Sequence, residues 1–113
     1  MTDCLFCRIV GQEIQARIVM ENDEIIAFHD LNPQAPVHVL IVPRKHIKSL
    51  GEALDDDGNL LGKIQLFARD IAKSLGLTNG FRLVMNNGKG VGQSVDHLHY
   101  HLLAGRRMQW PPG

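Results

Sequence analysis

The sequence predicts an α+β fold, in which a five-stranded antiparallel sheet carries one long helix and a short N-terminal helix. Short apolar segments typical of strands lie on both sides of a single long helical pattern, an order that favours an antiparallel sheet over βαβ units. At 113 residues, of which 44% are hydrophobic, the chain is long enough for one domain, residues 1–113, with a single core. A small sheet has exposed edges, and pairing two of them in a dimer would cover one.

The first half of the chain predicts the short helix and three strands. Residues 4–10 form the helical segment, which Gly11 ends. Apolar and β-branched runs predict strands over residues 18–20, 25–29 and 37–42. The third run is almost continuously apolar, so we expect it at the centre of the sheet. Two prolines block regular structure between the second and third strands.

The second half predicts the long helix and the remaining strands. Apolar residues recur at helical spacing from Leu60 to Leu75, which predicts a helix of about 19 residues. The acidic residues 55–57 suit its N-terminal cap, and Gly76 suits its C-terminal end. A strand follows over residues 81–85, with Phe81, Leu83 and Met85 on one face.

Three histidines alternate with apolar residues in the segment His97–Leu103, a period of two that predicts a strand with unlike faces. Neighbours on one face would lie about 6.6 Å apart and the outer pair about 13 Å apart. Zinc holds its nitrogen ligands at about 2.0 Å, so one ion would not easily reach all three. The row therefore indicates that one histidine takes part in the chemistry and that its neighbours support it.

The two cysteines form the pair Cys4-Leu5-Phe6-Cys7 on the predicted short helix. The N-terminus lacks the basic and apolar regions of a signal peptide, so we expect a cytoplasmic protein. In that compartment a metal or redox pair is more common than a structural disulfide. Two buried cysteines in a helical turn are the alternative.

Charge and hydropathy exclude two classes of partner. Twelve basic residues balance 12 acidic ones, which argues against nucleic-acid binding. No run approaches 18 apolar residues, so we expect no membrane span. A small phosphorylated ligand stays compatible, because the glycine-rich loop over residues 86–94 could bring backbone N–H groups to an anion.

Taken together, these motifs resemble the histidine triad (HIT) family and its Hint branch. The segment His97–Leu103 fits the pattern His-φ-His-φ-His-φ-φ, where φ is apolar. Further segments match along nearly the whole chain, namely 27–30, 33–38, 92–95 and 110–113. The resemblance implies a homodimer with a continuous ten-stranded sheet, a bound purine nucleoside monophosphate, and hydrolysis of nucleoside 5′-phosphoramidates without Mg²⁺.

The resemblance also implies residue roles. His99 would be the nucleophile, His101 would donate to a phosphate oxygen, and His38 would relay a proton. Ser94 would contact the phosphate or the leaving amine, and Asp30 would accept the ribose hydroxyls. Phe6, Ile9, Phe28, His29 and Leu31 would form the base pocket, and Asn86, Gly92, Gln93 and Val95 would complete the nucleotide-binding set beside Ser94, His99 and His101.

Some microbial members of the family carry the Cys-x-x-Cys pair with zinc. The resemblance therefore implies a structural Zn²⁺ site of the closed Cys₂His₂ type at Cys4, Cys7, His46 and His97. A reduced, metal-free thiol pair is the rival. For the whole protein, a dinucleoside polyphosphate hydrolase and a non-catalytic nucleotide- or partner-binding module are the alternatives.

Overall fold

The structure, a computed structural model, describes residues 3–113. Its sheet has five strands in the order β1-β2-β3-β5-β4, and every neighbouring pair is antiparallel. The helices and strands are α1 (Leu5–Val10), β1 (Ile18–Glu21), β2 (Ile25–His29), β3 (Val37–Pro43), α2 (Gly58–Ser74), β4 (Arg82–Met85) and β5 (Tyr100–Ala104). The predicted fold class is confirmed, and β3 occupies the predicted central position.

The two helices cover opposite faces of the sheet. Alternate residues of β2 divide between two cores, with Ile25 and Ala27 on one side and Ile26 and Phe28 on the other. The first core contains the buried face of α2 and the side chains of Leu98, Tyr100 and Leu102. The second, smaller core contains Phe6 and Ile9 of α1. The central strands are therefore buried on both faces, which explains the nearly continuous apolar run of β3.

The long helix begins later than its acidic flank predicts. Helix α2 has 17 residues, and residues 55–57 form a separate 3₁₀ turn before it. The carboxylate of Asp57 does not cap α2. It accepts the N–H of Leu54 at 2.9 Å and the ammonium of Lys45 at 2.6 Å. Lys45 holds the pKa of the Asp57 carboxyl below its usual value. At the other end Gly76 adopts φ 68°, as its predicted capping role requires.

Two strands are shorter than the sequence pattern predicts. Phe81 lies outside β4 and is 42% exposed. The row of histidines is not wholly on a strand, because β5 begins only at Tyr100. In the register of β3 with β5, Leu98 would stand opposite Pro43, which has no N–H to offer. The Leu98 N–H instead donates to the carbonyl of Ile47 at 2.6 Å.

No helix within residues 3–113 is both long enough and apolar enough to cross a membrane.

The chain leaves β5 directly against the loop over residues 30–36. Gly105, the first residue after β5, adopts φ 92°. A Cβ added there would lie 2.8 Å from the Cβ of Pro36. Only glycine combines this backbone conformation with so close an approach.

Replacing Gly105 by alanine should lower the free energy of unfolding by about 2 kcal/mol, because the substitution adds both backbone strain and steric overlap. Gly62, in the exposed middle of α2 with nothing within 4 Å of an added Cβ, is the matched control. Gly62→Ala should raise the free energy of unfolding by about 0.5–1 kcal/mol. Urea denaturation of both variants measures the difference, and equal stabilities would contradict the packing described for Gly105.

Candidate active site and metal cluster

His99 is held as a neutral base with its lone pair facing outward. Its side chain is buried, and its Nδ1 lies 2.8 Å from the carbonyl oxygen of His97. Because a carbonyl can only accept, Nδ1 carries the proton and Nε2 keeps the lone pair. Burial lowers the pKa of His99, although the His97 carbonyl and the charge of Asp30 act the other way. This is the arrangement that nucleophilic attack by imidazole needs.

His38 and His101 form a second, connected pair. The backbone N–H of Gln34 donates to Nδ1 of His38 at 3.0 Å, so the ring proton of neutral His38 lies on Nε2. Nε2 of His38 lies 2.9 Å from Nδ1 of His101 and donates to it. The proton of His101 is therefore on its own Nε2, which is buried and has no hydrogen-bond partner within residues 3–113.

The two pairs meet side by side. The ring centroids of His99 and His101 are 5.0 Å apart. Burial lowers the pKa of His101 to about 4, and the neighbouring His99 and His38 rings add to the effect. The pKa of His38 is also lowered by burial, against the opposing charge of Asp30. At neutral pH the site thus offers a lone pair on one ring and an unsatisfied donor on the next.

A cavity of about 180 Å³ is lined on one side by Asp30, whose carboxylate approaches the ring of His38. Its lining includes Ile9, Phe28, His29, Asp30 and Leu31, five of the residues that the resemblance assigns to nucleotide binding. Leu31 is 95% exposed and stands at the rim. One carboxylate oxygen of Asp30 accepts the N–H of Asn32 at 2.7 Å, and the other lies 3.4 Å from Nε2 of His38.

Phe6, the remaining expected base-pocket residue, lies behind this cavity. Its ring is 3% exposed and makes edge contacts with the rings of Phe28, His97 and His99, at centroid distances of 5.6, 5.9 and 5.1 Å. Phe6 therefore supports Phe28 and the two histidines from α1.

The glycine-rich loop is held by Gln93, whose side chain is not directed at the site. Its Oε1 accepts the N–H of Gly88, and its Nε2 donates to the carbonyls of Lys48 and Val95. The buried side-chain amide is therefore satisfied within the loop and shapes it. The place of Gln93 in the nucleotide-binding set stays a prediction.

Other expected phosphate contacts lie along the same loop. Ser94 is exposed and lines a groove of about 780 Å³ together with Val95, Lys48 and Lys89. Gly92 adopts φ 108°, and the amide nitrogen of Asn86 lies 3.7 Å from the position that a Cβ on Gly92 would take. The loop thus keeps backbone and amide groups close to the start of the histidine row.

The four expected metal ligands converge. The ligand atoms of Cys4, Cys7, His46 and His97 all lie within 4.8 Å of one another. Nδ1 of His97 is 3.3 Å from Sγ of Cys4, 3.5 Å from Sγ of Cys7 and 3.2 Å from Nδ1 of His46. In a tetrahedral zinc site with these bond lengths, ligand atoms lie about 3.3–3.8 Å apart. The donor set and these distances therefore fit a tetrahedral Zn²⁺ site.

The surroundings of His97 also suit a ligand. Its Nε2 lies 2.8 Å from the carbonyl of Pro43 and must donate to it, which leaves the Nδ1 lone pair for the cluster. Burial lowers the pKa of His97 to about 4, and burial together with Cys4 raises the pKa of Cys7 to about 11. Without a cation, the cluster is therefore an uncharged imidazole beside a protonated Cys7 thiol.

Sequence reasoning missed the groups that orient this site. Gln34 acts through its backbone N–H, which no side-chain pattern reports, although the flanking prolines signal a fixed loop. Ile14 and Ala16 complete the apolar wall of the 180 Å³ cavity from a segment without periodicity. Their apolar character inside an otherwise polar connection is the only available signal.

Comparison with known proteins gives a consistent result. The profile of the HIT domain family matches residues 11–108. An uncharacterized HIT-like protein of Synechocystis is 51% identical over 111 residues, covering 98% of this chain and 97% of that protein. A HIT family hydrolase from Legionella pneumophila superposes with a TM-score of 0.96 at 50% identity, covering 98% of this chain and all of the other. A histidine triad nucleotide-binding protein from Candida albicans has a TM-score of 0.82 at 31% identity, over 98% of this chain and 85% of its own.

Stability should fall between pH 7 and pH 5, in part because of His101. The pKa of His101 is about 4 in the folded protein, against an ordinary value of 6.5. Between pH 7 and pH 5, His101 therefore binds a proton in the unfolded chain but not in the folded protein. The free energy of unfolding therefore decreases as the pH falls. In His101→Gln this decrease should be smaller, as measured by chemical denaturation at several pH values. An unchanged slope in the variant would contradict the buried, neutral state of His101.

Proposed function

The chain belongs to the HIT domain family, and from this membership and the geometry of the site we propose that it hydrolyses purine nucleoside 5′-phosphoramidates through a covalent nucleotidyl-histidine intermediate. One observation carries the proposal most. The lone pair of His99 Nε2 stands beside a buried, unpartnered N–H on His101. A phosphoryl group between these two rings would meet a nucleophile and a hydrogen-bond donor at once.

In the first step, Nε2 of His99 attacks the α-phosphorus and the bond from phosphorus to the amine breaks. The Nε2–H of His101 donates to a phosphate oxygen, where negative charge is concentrated in the transition state. His38 relays a proton through its contact with His101, and Ser94 contacts the phosphate or the departing amine. The departing nitrogen takes up one proton that is supplied from solvent, so it leaves as a neutral amine, and the nucleotide stays bonded to Nε2 of His99.

In the second step, water attacks the same phosphorus from the side that the amine has vacated. The bond to His99 breaks, the attacking water gives one proton back to solvent, and the nucleoside monophosphate leaves while His99 regains its neutral form. The hydrogen bond from Nδ1 to the His97 carbonyl persists in both steps, so the ring needs no reorientation. Donors fixed before the reaction supply the charge stabilisation that Mg²⁺ supplies in many phosphoryl transfers.

The rest of the nucleotide occupies the cavity beside α1. The base lies among Ile9, Phe28 and Leu31, and the carboxylate of Asp30 accepts the ribose hydroxyls. The names of similar proteins support this proposal, since one is a HIT family hydrolase and another a histidine triad nucleotide-binding protein. Hydrolysis of dinucleoside polyphosphates and binding without catalysis use the same pocket and are the alternatives.

We further propose that Zn²⁺ occupies the Cys4–Cys7–His46–His97 cluster as a structural ion. Support comes from the spacing of the four ligand atoms and from the Pro43 carbonyl that orients His97. When bound, the ion supplies a charge of +2, which stabilises both cysteines as thiolates. The ligands then tie α1, and with it Phe6, to the start of the histidine row.

The proposed homodimer joins two copies at a sheet edge. Within residues 3–113, β4 is one edge strand, and its backbone could continue the sheet into a second copy. Trp110, in the segment after β5, is 81% exposed, which suits a side chain that packs on a partner subunit.

Replacing His99 by alanine should abolish turnover of adenosine 5′-phosphoramidate, with a loss of at least about 1,000-fold in kcat, because the nucleophile is removed. Binding of adenosine monophosphate should change less than threefold, since the base and ribose contacts remain. Amine release and calorimetric titration measure the two quantities.

His29→Ala is the control for that experiment, because His29 lines the nucleotide cavity but makes none of the hydrogen bonds of the histidine pairs. It should raise KM more than it lowers kcat. Wild-type activity in His99→Ala would refute the nucleophile assignment. Equal wild-type activity on a diadenosine polyphosphate would favour the first alternative, and no activity on either substrate would favour the binding module.

Protein purified without chelators should contain about one zinc ion per chain by elemental analysis. Cys7→Ser should lose most of the zinc and melt at a lower temperature, because α1 is no longer tied to His97. His29→Gln, a histidine outside the cluster, should keep the metal. A zinc-free wild type with an unchanged melting temperature after added zinc would contradict the metal proposal.

A further inference from the structure

We propose that Arg106 is a positioning residue that sets the protonated nitrogen of His38, and through it the donor on His101, by holding the backbone of Gln34. The kinetic consequence of this role rests on the proposed hydrolase function. The position of the ring protons does not, and it can be measured separately.

Arg106 reaches across from the segment after β5 to the loop between β2 and β3. Its Nε donates to the carbonyl of Gln34 at 3.0 Å, and its Nη1 donates to the carbonyl of Arg107 at 3.1 Å. A guanidinium group only donates, so both contacts have one possible polarity. The second contact fixes the plane of the guanidinium while the first holds Gln34.

The strand register places Arg106 where this contact can form. Val37, the first residue of β3, pairs with Ala104, the last residue of β5. The next residues of the two segments therefore continue side by side, and Gly105 packs against Pro36. At the base of the loop, the N–H of Asp30 donates to the carbonyl of His38 at 3.0 Å. The loop that carries Gln34 is thus tied to both β3 and the segment after β5.

The held residue contributes the hydrogen bond that decides the tautomer of His38. The Gln34 N–H points at Nδ1 of His38, so a proton on that nitrogen would place two donors face to face. With the proton on Nε2, His38 donates to Nδ1 of His101, and Nε2 of His101 carries the proton that faces the site.

The opposite tautomer would break the hydrogen bond from Gln34 and reverse the one between the two rings. His38 would then accept from Nδ1 of His101, and Nε2 of His101 would present a lone pair to the phosphate oxygen. A donor that stabilises charge would become an acceptor that repels it. One backbone N–H therefore determines whether His101 can act, and Arg106 holds the residue that carries it.

The same N–H leaves no metal ligand on His38. Atoms of Asp30, His38 and His101 lie within 4.8 Å of one another, a spacing that would suit a cation. A cation would need the Nε2 lone pair of His38, and the Gln34 N–H keeps a proton on Nε2. His97 has the reverse arrangement, because the Pro43 carbonyl leaves its Nδ1 free to bind. One backbone group thus sets the chemistry of each histidine cluster. The Gln34 N–H makes His38 a hydrogen-bond donor, and the Pro43 carbonyl leaves His97 able to bind a metal.

The test is the tautomer itself, read from two-bond ¹H–¹⁵N correlation spectra of the zinc-loaded protein labelled at histidine. Wild type should show His38 and His101 protonated at Nε2 and His99 at Nδ1. Arg106→Met should add an Nδ1–H population to His38 and lower kcat on adenosine phosphoramidate about 3- to 10-fold, with KM changed less than twofold. Arg106→Lys, which keeps a donor, should restore most of both readouts.

Arg107→Met is the matched control, because Arg107 takes part in these contacts through its backbone carbonyl. Its spectra and kcat should equal those of wild type. Wild-type tautomers in Arg106→Met would overturn the proposal, whatever the activity. A tautomer change in Arg106→Met, in a protein whose wild type does not cleave the phosphoramidate, would refute the proposed function and leave the positioning role standing.

Discussion

The hydrogen bond from the His99 ring to the carbonyl of His97 is the contact on which the site depends. It fixes the proton on Nδ1 of His99 and leaves the lone pair on Nε2. The ring of the same His97 donates to the Pro43 carbonyl and turns its free nitrogen to the two cysteines. One residue therefore contributes to two sites, the cysteine–histidine cluster through its side chain and the proposed nucleophile His99 through its backbone.

This arrangement is possible because the pairing of β3 with β5 ends before the first two histidines of the row. Pro43 offers no N–H, so the ladder between β3 and β5 stops at the pair Ile41 and Tyr100. The residues before Tyr100 are then free to bend, and the rings of His99 and His101 approach to a centroid distance of 5.0 Å. The two rings are thus closer together than the backbone repeat of about 6.6 Å that separates alternate residues on a regular strand. In the proposed mechanism, one phosphoryl group contacts both rings.

The strands and the helices could be predicted from sequence, because periodicity and residue type report them directly. The clustered cysteines and histidines were implied only by the resemblance to the family, and the structure brings all four together. The break in the histidine row could not, since the alternation of Leu98, Tyr100 and Leu102 continues through it. Gln93 is a polar residue in a glycine-rich loop, so the sequence suits it to a ligand contact. Only the structure shows that its side-chain amide is hydrogen-bonded within the protein. Gln34 acts through its backbone, and Arg106 depends on the register of distant strands.

The central claim is a bond between His99 and the nucleotide, and mass spectrometry of protein quenched during turnover tests it most directly. Wild-type protein mixed with adenosine 5′-phosphoramidate and quenched in base within the first turnover should carry one adenylyl group. Peptide fragmentation should place that group on His99, and it should disappear at the rate of steady-state turnover. Full turnover without an adduct, or with the adduct on another residue, would contradict this account.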